Sequence, residues 1–267
     1  MLLEEGHDVF CFRRDTSDMS RVEDIKDQVT WFSVADDILN SMQKSSIDYV
    51  INMACSYGKA TVSDETVIES NLSFPLRILT YAVKAGVKFF ITMGTGLPDD
   101  FNIYSFSKMT LNDYGRYYSN KSGISYICLK TEMFYGPDEP SDRFFPSIIR
   151  KMINGEEVDV TKGTQKRDII SSDDVVKAIM MTIYSDLSGY VEIPVGTGDC
   201  PVIADVVDYI WNETGRKSKV NYGAIPMRPF EPDCVADVTR IRQLGEWEPV
   251  LWKNGITAMI NELRGVE

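Results

Sequence analysis

The chain has 267 residues, 43% of them apolar and 25% charged, which is enough material for a large core and the wrong composition for a disordered chain. Forty acids against 28 bases leave a net charge of −12, which argues against nucleic-acid or anionic-membrane partners. No apolar run approaches the ~20 residues of a membrane span, and Met1–His7 lacks the basic and apolar regions of a secretory signal, so a cytoplasmic protein is expected. The five cysteines (Cys11, Cys55, Cys128, Cys200 and Cys234) are odd in number and form no CxxC pair. They read as reduced thiols, most of them buried in strand-like contexts, and no metal site is expected. His7 is the single histidine and lies near what reads as a helix end, so a structural role is expected for it. Histidine-dependent triads and most zinc chemistry are thereby excluded. Tyr, Lys, Ser/Thr or carboxylates must carry any catalysis.

In chain order, Val9–Phe12 and Thr30–Phe32 are short apolar strands, and a helix fits Asp36–Lys44. Tyr49–Met53 is a strand of the buried type. Ile68, Leu72, Leu76, Leu79 and Ala82 recur every three or four residues and predict a helix over Thr66–Lys84, stopped by Gly86. Phe89–Met93 is a strand, a helix follows from Tyr104 to about Tyr118, and Ser125–Leu129 is the next strand. Continuous apolar strands alternating with helices imply βαβ units and a doubly wound parallel sheet. Beyond Gly136 the texture changes. Pro137, Pro140 and Pro146 punctuate a loop, and Phe144–Asn154 reads as an amphipathic helix. Ser172 is the expected N-cap of a helix running to Tyr184, with Asp173 and Asp174 in its first turn. Short helices are expected at Val202–Thr214, Val238–Leu244 and Gly255–Leu263. The expected division places 1–135 and 173–199 in a dinucleotide-binding domain and 136–172 and 200–267 in a smaller lobe.

The chemistry concentrates between Phe89 and Lys108. A buried strand ends at Gly94-Thr95, and Tyr104 and Lys108 follow with YxxxK spacing. Residues four apart share one helix face, so the ammonium can lie beside the phenol. A neighbouring positive charge is expected to lower the tyrosine pKa, which suits proton exchange with a carbonyl or alcohol oxygen. Thr95 can donate a second hydrogen bond to that oxygen. A second copy of the spacing, Tyr117 to Lys121, has no hydroxyl-bearing strand end near it and reads as an exposed helical pair.

In these blocks the chain resembles the extended short-chain dehydrogenases/reductases that act on nucleotide-sugars. The resemblance runs through Asp48–Ala54, Asn71, Val87–Thr95, Tyr135-Gly136-Pro137, Gly163–Asp168 with Asp173–Val175, and Val195–Gly198. It implies a Rossmann-like α/β domain with a small α+β C-terminal substrate lobe, and a homodimer through the two long helices. It also implies catalytic Thr95, Tyr104 and Lys108. Cofactor contacts are implied at Asn52, Met53, Ala54 and Asn71, together with Tyr104 and Lys108. Implied substrate contacts are Arg167 and Arg228, with Lys166, Glu132 and the weaker Arg143. Asn52–Ala54 with Tyr57-Gly58, Thr92–Pro98, Lys130–Pro137 and Gln165–Asp168 look like the branch of CDP-abequose synthases and related 4-keto reductases, which make deoxysugars for bacterial surface polysaccharides. Gly96-Leu97 follow Thr95 where dehydratases of this family carry Asp-Glu, so dehydration is not expected.

Arg13 and Arg14 follow the first apolar strand, where relatives that prefer NAD carry an acid for the ribose hydroxyls. Guanidinium suits a 2′-phosphate, so NADPH is the expected cofactor, with NAD the alternative. The substrate implied by the resemblance is a nucleotide-diphosphate sugar. The 18 glycines form neither G-x-G-x-x-G nor G-x-x-G-x-x-G, the turn that cradles a cofactor pyrophosphate. The resemblance therefore implies that a first strand and its glycine-rich turn are absent from this sequence. Three readings stand open at this level: a reductase, an epimerase that retains NAD, and a non-catalytic relative that binds a nucleotide-sugar.

Overall fold

The computed structural model describes residues 1–58, 61–136 and 139–265. After turns at 2–6, β1 (Phe10–Arg13) leads through a 3₁₀ stretch, Ser20–Gln28, to β2 (Thr30–Ser33). Next come α1 (Ile38–Ser45), β3 (Tyr49–Asn52), α2 (Asp64–Ile68), a π-helical stretch at Glu69–Ser73 and α3 (Phe74–Ala85). Then follow β4 (Phe89–Met93), α4 (Ile103–Ser122), β5 (Ser125–Thr131), β6 (Met133–Tyr135), α5 (Phe144–Asn154), β7 (Val158–Val160) and β8 (Ile169–Ser171). The chain ends with α6 (Ser172–Ile183), β9 (Tyr190–Val195), α7 (Ile203–Glu213), β10 (Val220–Tyr222), α8 (Thr239–Arg242) and α9 (Trp252–Arg264).

The central sheet has the order β3-β4-β5-β9, all parallel, with Phe89 opposite Tyr49 and Ser125. Successive side chains alternate between two cores, as the strand period demands. Ile127 and Leu129 of β5 face Val175, Ala178 and Ile179 of α6 on one side. Tyr126 and Cys128 face Met42 of α1 and Ile78, Leu79 and Ala82 of α3 on the other. Coverage of both faces explains why these strands read as unbroken apolar runs. A third core packs α5, α7 and α9 around β7 and β8 through Phe145, Ile149, Val206, Ile210, Ile256 and Ile260.

β1 and β2 pair in parallel as a separate sheet that shares no backbone ladder with β3. Phe12 of β1 and Val50 of β3 nevertheless pack against the same core. No helix among the described residues is long and apolar enough to cross a membrane.

Several sequence expectations shift. The helix predicted over Thr66–Lys84 is interrupted by the π stretch, because periodicity cannot register a one-residue insertion in a helical turn. The cap of α6 is Ser171, whose hydroxyl accepts the Asp173 N–H at 3.1 Å, and not Ser172. α4 runs on to Ser122 before Gly123 ends it in the left-handed region. All five cysteines are free, but only Cys11 and Cys128 lie in strands, and Cys55 keeps an exposed face. His7 hydrogen-bonds the Tyr184 hydroxyl at 2.8 Å, a contact between the chain start and α6, and turns stand where a helix end was expected before it.

Candidate active site

The carboxyl ends of β3, β4 and β5 and the first turn of α4 form one surface. β4 continues to follow β5 beyond its formal end. Gly94 donates to the Leu129 carbonyl at 2.7 Å and Gly96 to Thr131 at 2.9 Å. Both glycines are required by close approach. A Cβ on Gly94 would sit 2.5 Å from the Cys128 sulfur, and one on Gly96 would sit 2.1 Å from the Glu132 carboxylate. Thr95, between them, is thereby pinned at the strand end. Its Oγ1 accepts the Leu97 N–H at 3.2 Å, and its hydroxyl lies beside that of Tyr104.

α4 begins with a reciprocal cap. The Asn102 side chain accepts the Ser105 N–H at 2.9 Å, and the Ser105 hydroxyl accepts the Asn102 N–H at 3.2 Å. That cap sets the orientation of the first turn, where Tyr104 projects. One turn later the Lys108 ammonium lies 5.5 Å from the Tyr104 ring centre and donates to the Met93 carbonyl at 2.5 Å. Thr95, Tyr104 and Lys108 are therefore brought together.

The expected lowering of the Tyr104 pKa is not found in the protein alone. Burial holds the phenol well above its ordinary value, the neighbouring Cys55 and Tyr57 add to the rise, and the Thr95 hydroxyl opposes it. Lys108 is itself desolvated, which pushes its own pKa down. Tyr104 is thus held protonated.

Asn52 ends β3 with its amide donating to the Thr92 hydroxyl at 3.0 Å and its carbonyl accepting the Ala54 N–H at 3.3 Å. Met53 follows it and is 62% exposed, a large apolar side chain on the surface. Asn71, in the π stretch, is buried and grips the loop after β3 from both sides. It accepts the Ser56 N–H at 2.8 Å and donates to the Ser56 carbonyl at 2.9 Å. Arg13 closes β1, and Arg14 is exposed in the turn that follows. The nearby acids are engaged elsewhere: Asp15 accepts from the Ser33 hydroxyl at 3.1 Å and Asp18 from the Ser20 N–H at 2.9 Å.

On the far side, Glu132 is buried under Gly96. Burial first, and then the charge of Asp168, raises its pKa to about 7 against the opposing Arg167 and Lys130. Arg167 is buried and most of its donors are spent internally, on Glu231 and on the carbonyls of Pro232 and Lys166. Lys166 and Arg228 are exposed on the same wall, where Met227 accepts from the Thr164 hydroxyl at 3.5 Å. Pro137 of the Tyr135-Gly136-Pro137 block lies outside the described residues. No group of three or more His, Cys, Asp or Glu side chains among the described residues could hold a metal ion.

The sequence singled out neither Cys55 nor Glu139, and used Tyr57 only for its likeness to the 4-keto reductase branch. The Cys55 thiol lies beside Tyr104 and Tyr57, and Tyr57 stacks on Tyr104 with ring centres 5.4 Å apart. Arg143, at the start of α5, lies 4.1 Å over Tyr57. The only linear signal for these residues was their place just after a strand end.

A nicotinamide cofactor fits one end of this surface, where Asn52 and Lys108 both reach β4 near its carboxyl end, beside Tyr104. At the other end the sequence supplies no glycine-rich turn for the pyrophosphate.

A family model described as the NAD dependent epimerase/dehydratase family matches residues 1–191. The chain belongs to that family, and so to the NAD(P)-dependent enzymes that oxidise, reduce or epimerise nucleotide-sugars. It is similar to the CDP-abequose synthase of Salmonella typhimurium, with 31% identity covering 88% of this chain and 84% of the relative. It is also similar to that of Salmonella muenchen, with 25% identity covering 97% of this chain and 91% of the relative. Among solved structures, the UDP-glucose 4-epimerase of Thermotoga maritima with UDP-glucose superposes with a TM-score of 0.85 at 22% identity, covering 99% of this chain and 93% of that one. The Thermus thermophilus UDP-glucose 4-epimerase complex with NAD also gives 0.85, at 21% identity, over 100% and 94% of the two chains. These likenesses establish the Rossmann-type fold.

Proposed function

We propose that this protein is an NADPH-dependent reductase of a nucleotide-linked 4-keto-deoxysugar, acting in surface-polysaccharide sugar biosynthesis in the cytoplasm. The observation that carries the reading is the convergence of Thr95, Tyr104 and Lys108 at the carboxyl end of β4, with the Lys108 ammonium 5.5 Å from the Tyr104 ring centre. A bound nicotinamide supplies the hydride. Tyr104 delivers the proton to the oxygen formed from the carbonyl, Thr95 donates a hydrogen bond to that oxygen, and Lys108 holds ribose hydroxyls. A phenol kept protonated suits an acid in reduction. The CDP-abequose synthases among its relatives support a 4-keto-deoxysugar over the glucose derivatives of the epimerases.

In this reading Asn52, Met53, Ala54 and Asn71 shape the nicotinamide side, and Arg13 and Arg14 take the 2′-phosphate of NADPH. Lys166 and Arg228 present cations to the nucleotide diphosphate, and Glu132 and Arg167 form the wall behind it. The dinucleotide domain comprises 1–135 and 173–199, and the substrate lobe 136–172 and 200–267. Ile68, Phe106, Tyr114 and Tyr117 form an exposed apolar strip on α2 and α4, which supports a homodimer packed through these helices. An epimerase with retained NAD is the second reading. The similarity to the two UDP-glucose 4-epimerases favours it, because the same three side chains serve both reactions.

Fluorescence titration with NADPH and with NADH, followed by turnover on a nucleotide-linked 4-keto sugar, tests the proposal. Tyr104→Phe is expected to lower kcat about 10²–10⁴-fold, the range of general acid catalysis, with substrate KM little changed. Wild-type turnover in that variant overturns the assignment, tight NAD retention without net reduction selects the epimerase, and no cofactor binding at millimolar concentration selects a non-catalytic relative.

A further inference from the structure

Tyr104 must place its phenolic oxygen within hydrogen-bond reach of the atom that receives the proton, about 3 Å, and a misplacement of ~1 Å costs on the order of 10²-fold in rate. A tyrosine on the first turn of a helix has two free torsions. Thr95 and Lys108 restrain the hydroxyl end and one approach to the ring. The rest of the ring is restrained from outside the YxxxK helix.

Tyr57 stacks on Tyr104 with an interplanar angle of 24°. It stands in the loop after β3 and is 43% exposed, so the loop alone does not fix it. Arg143 does: it covers the Tyr57 ring at 4.1 Å, and the Cys55 thiol lies beside both tyrosines. Arg143 itself is aimed by Glu139, whose Oε1 accepts from Nε at 3.3 Å. Glu139 and Arg143 come from the segment that opens α5, 82 and 86 residues beyond Tyr57 in the chain. On the loop side, Asn71 fixes Ser56 on both backbone groups, immediately before Tyr57. A cation over an aromatic face contributes roughly 0.5–2 kcal/mol, and an aromatic stack about 0.5–1.5 kcal/mol, enough to hold one rotamer against its alternatives.

We propose that Tyr57 and Arg143 are positioning residues for the proton donor, with Arg143 clamping Tyr57 onto the ring of Tyr104 and so linking the start of α5 to the catalytic turn of α4. This rests on the reading of Tyr104 as the acid. The clamp makes acid alignment depend on the seating of α5, so both sides of the cleft must be in place before the proton is aimed.

The test has a part that needs no substrate. In ¹H–¹³C spectra of ring-labelled tyrosine at neutral pH, the Tyr104 signal is identified by its loss in Tyr104→Phe. Removing the stack with Tyr57→Leu is expected to move the Tyr104 signal by the ring-current contribution of Tyr57. Arg143→Ala is expected to move it in the same direction, and Tyr57→Phe to leave it near its original place. Kinetically, Tyr57→Leu and Arg143→Ala should each lower kcat roughly 10–100-fold with KM within about threefold, and Tyr57→Phe should restore most of the loss. In a double-mutant cycle the two losses should fall well short of additive, because both remove one clamp. A Tyr104 signal and kcat unchanged in Tyr57→Leu overturn the proposal, as do fully additive losses. Shifted spectra in a protein that does not turn over a 4-keto sugar leave the clamp standing and overturn the reductase reading instead.

Discussion

Glu132 shows how one carboxylate takes its character from its surroundings. In the chain it stands between Thr131 and Met133, implied as a substrate contact by resemblance alone, with nothing to mark how it titrates. In the structure it is 8% exposed beneath Gly96, and its pKa is raised from 4.5 to about 7 by burial and by Asp168. The native state therefore binds the proton more tightly than the unfolded chain. The resulting stability is complete below pH 4.5 and is lost as pH rises through 7. Glu132→Gln mimics the protonated form. It should leave the denaturation midpoint unchanged at pH 4.5, and at pH 8 should stabilise by up to ~3 kcal/mol, from about 1.36 kcal/mol for each pKa unit. An equal gap at both pH values in urea titrations would falsify this account. Tyr104 makes the same point with the opposite use. The YxxxK spacing suggested a phenol made acidic by lysine, yet desolvation of both groups keeps it protonated, the state in which it can give a proton.

At the scale of elements, the π stretch at Glu69–Ser73 decides where the loop after β3 lies. One extra residue in the turn brings Asn71 to face Ser56, and its amide closes two backbone hydrogen bonds there. π-bulges recur at functional sites because they turn a side chain off the regular helical face. Asn71→Ala leaves a buried N–H and carbonyl without their partner and frees the segment that carries Cys55 and Tyr57. The expected cost is about 1–3 kcal/mol in urea unfolding, together with weaker NADPH binding by fluorescence. Asn71→Asp keeps the acceptor for the Ser56 N–H and should lose less. An unchanged unfolding midpoint in Asn71→Ala would show that water replaces the amide at no cost. The apolar period that marked this helix is legible in sequence, and the π turn within it is not, because its hydrogen-bond shift leaves the hydrophobic face nearly continuous.

Across the whole molecule, Asp168 joins parts of the chain that are far apart in sequence. Its buried carboxylate accepts the N–H groups of Thr197 at 2.8 Å, Gly198 at 2.9 Å and Ala236 at 3.2 Å, and the Thr197 hydroxyl at 2.6 Å. A buried charge is tolerable only with this many donors. The residue thus ties the start of β8 to the turn after β9 and to the segment leading into α8, one seam between three segments of the chain. Asp168→Ala strands three backbone donors and should cost more than ~3 kcal/mol, read as a lower urea midpoint with an unchanged slope. A loss below ~1 kcal/mol would mean that the seam relaxes to satisfy itself. Arg167, beside it, was expected at the substrate, and its pairing with Glu231 and Pro232 belongs to the same seam.

What the linear chain determined was periodic or local: apolar runs for β3, β4 and β5, the span of α5, the helix that begins near Tyr104, and the spacing that sets Lys108 on the same face. These follow from the pleat, the 3.6-residue turn and the chemistry of single residues, so they are written within a few positions of one another. Only tertiary structure decided that Tyr104 stays protonated, that Glu132 titrates near neutrality, that Arg167 turns inward and that Tyr57 and Arg143 meet over the catalytic ring. Each depends on burial or on contacts between segments tens of residues apart, and neither quantity has a signature in the order of residues along the chain.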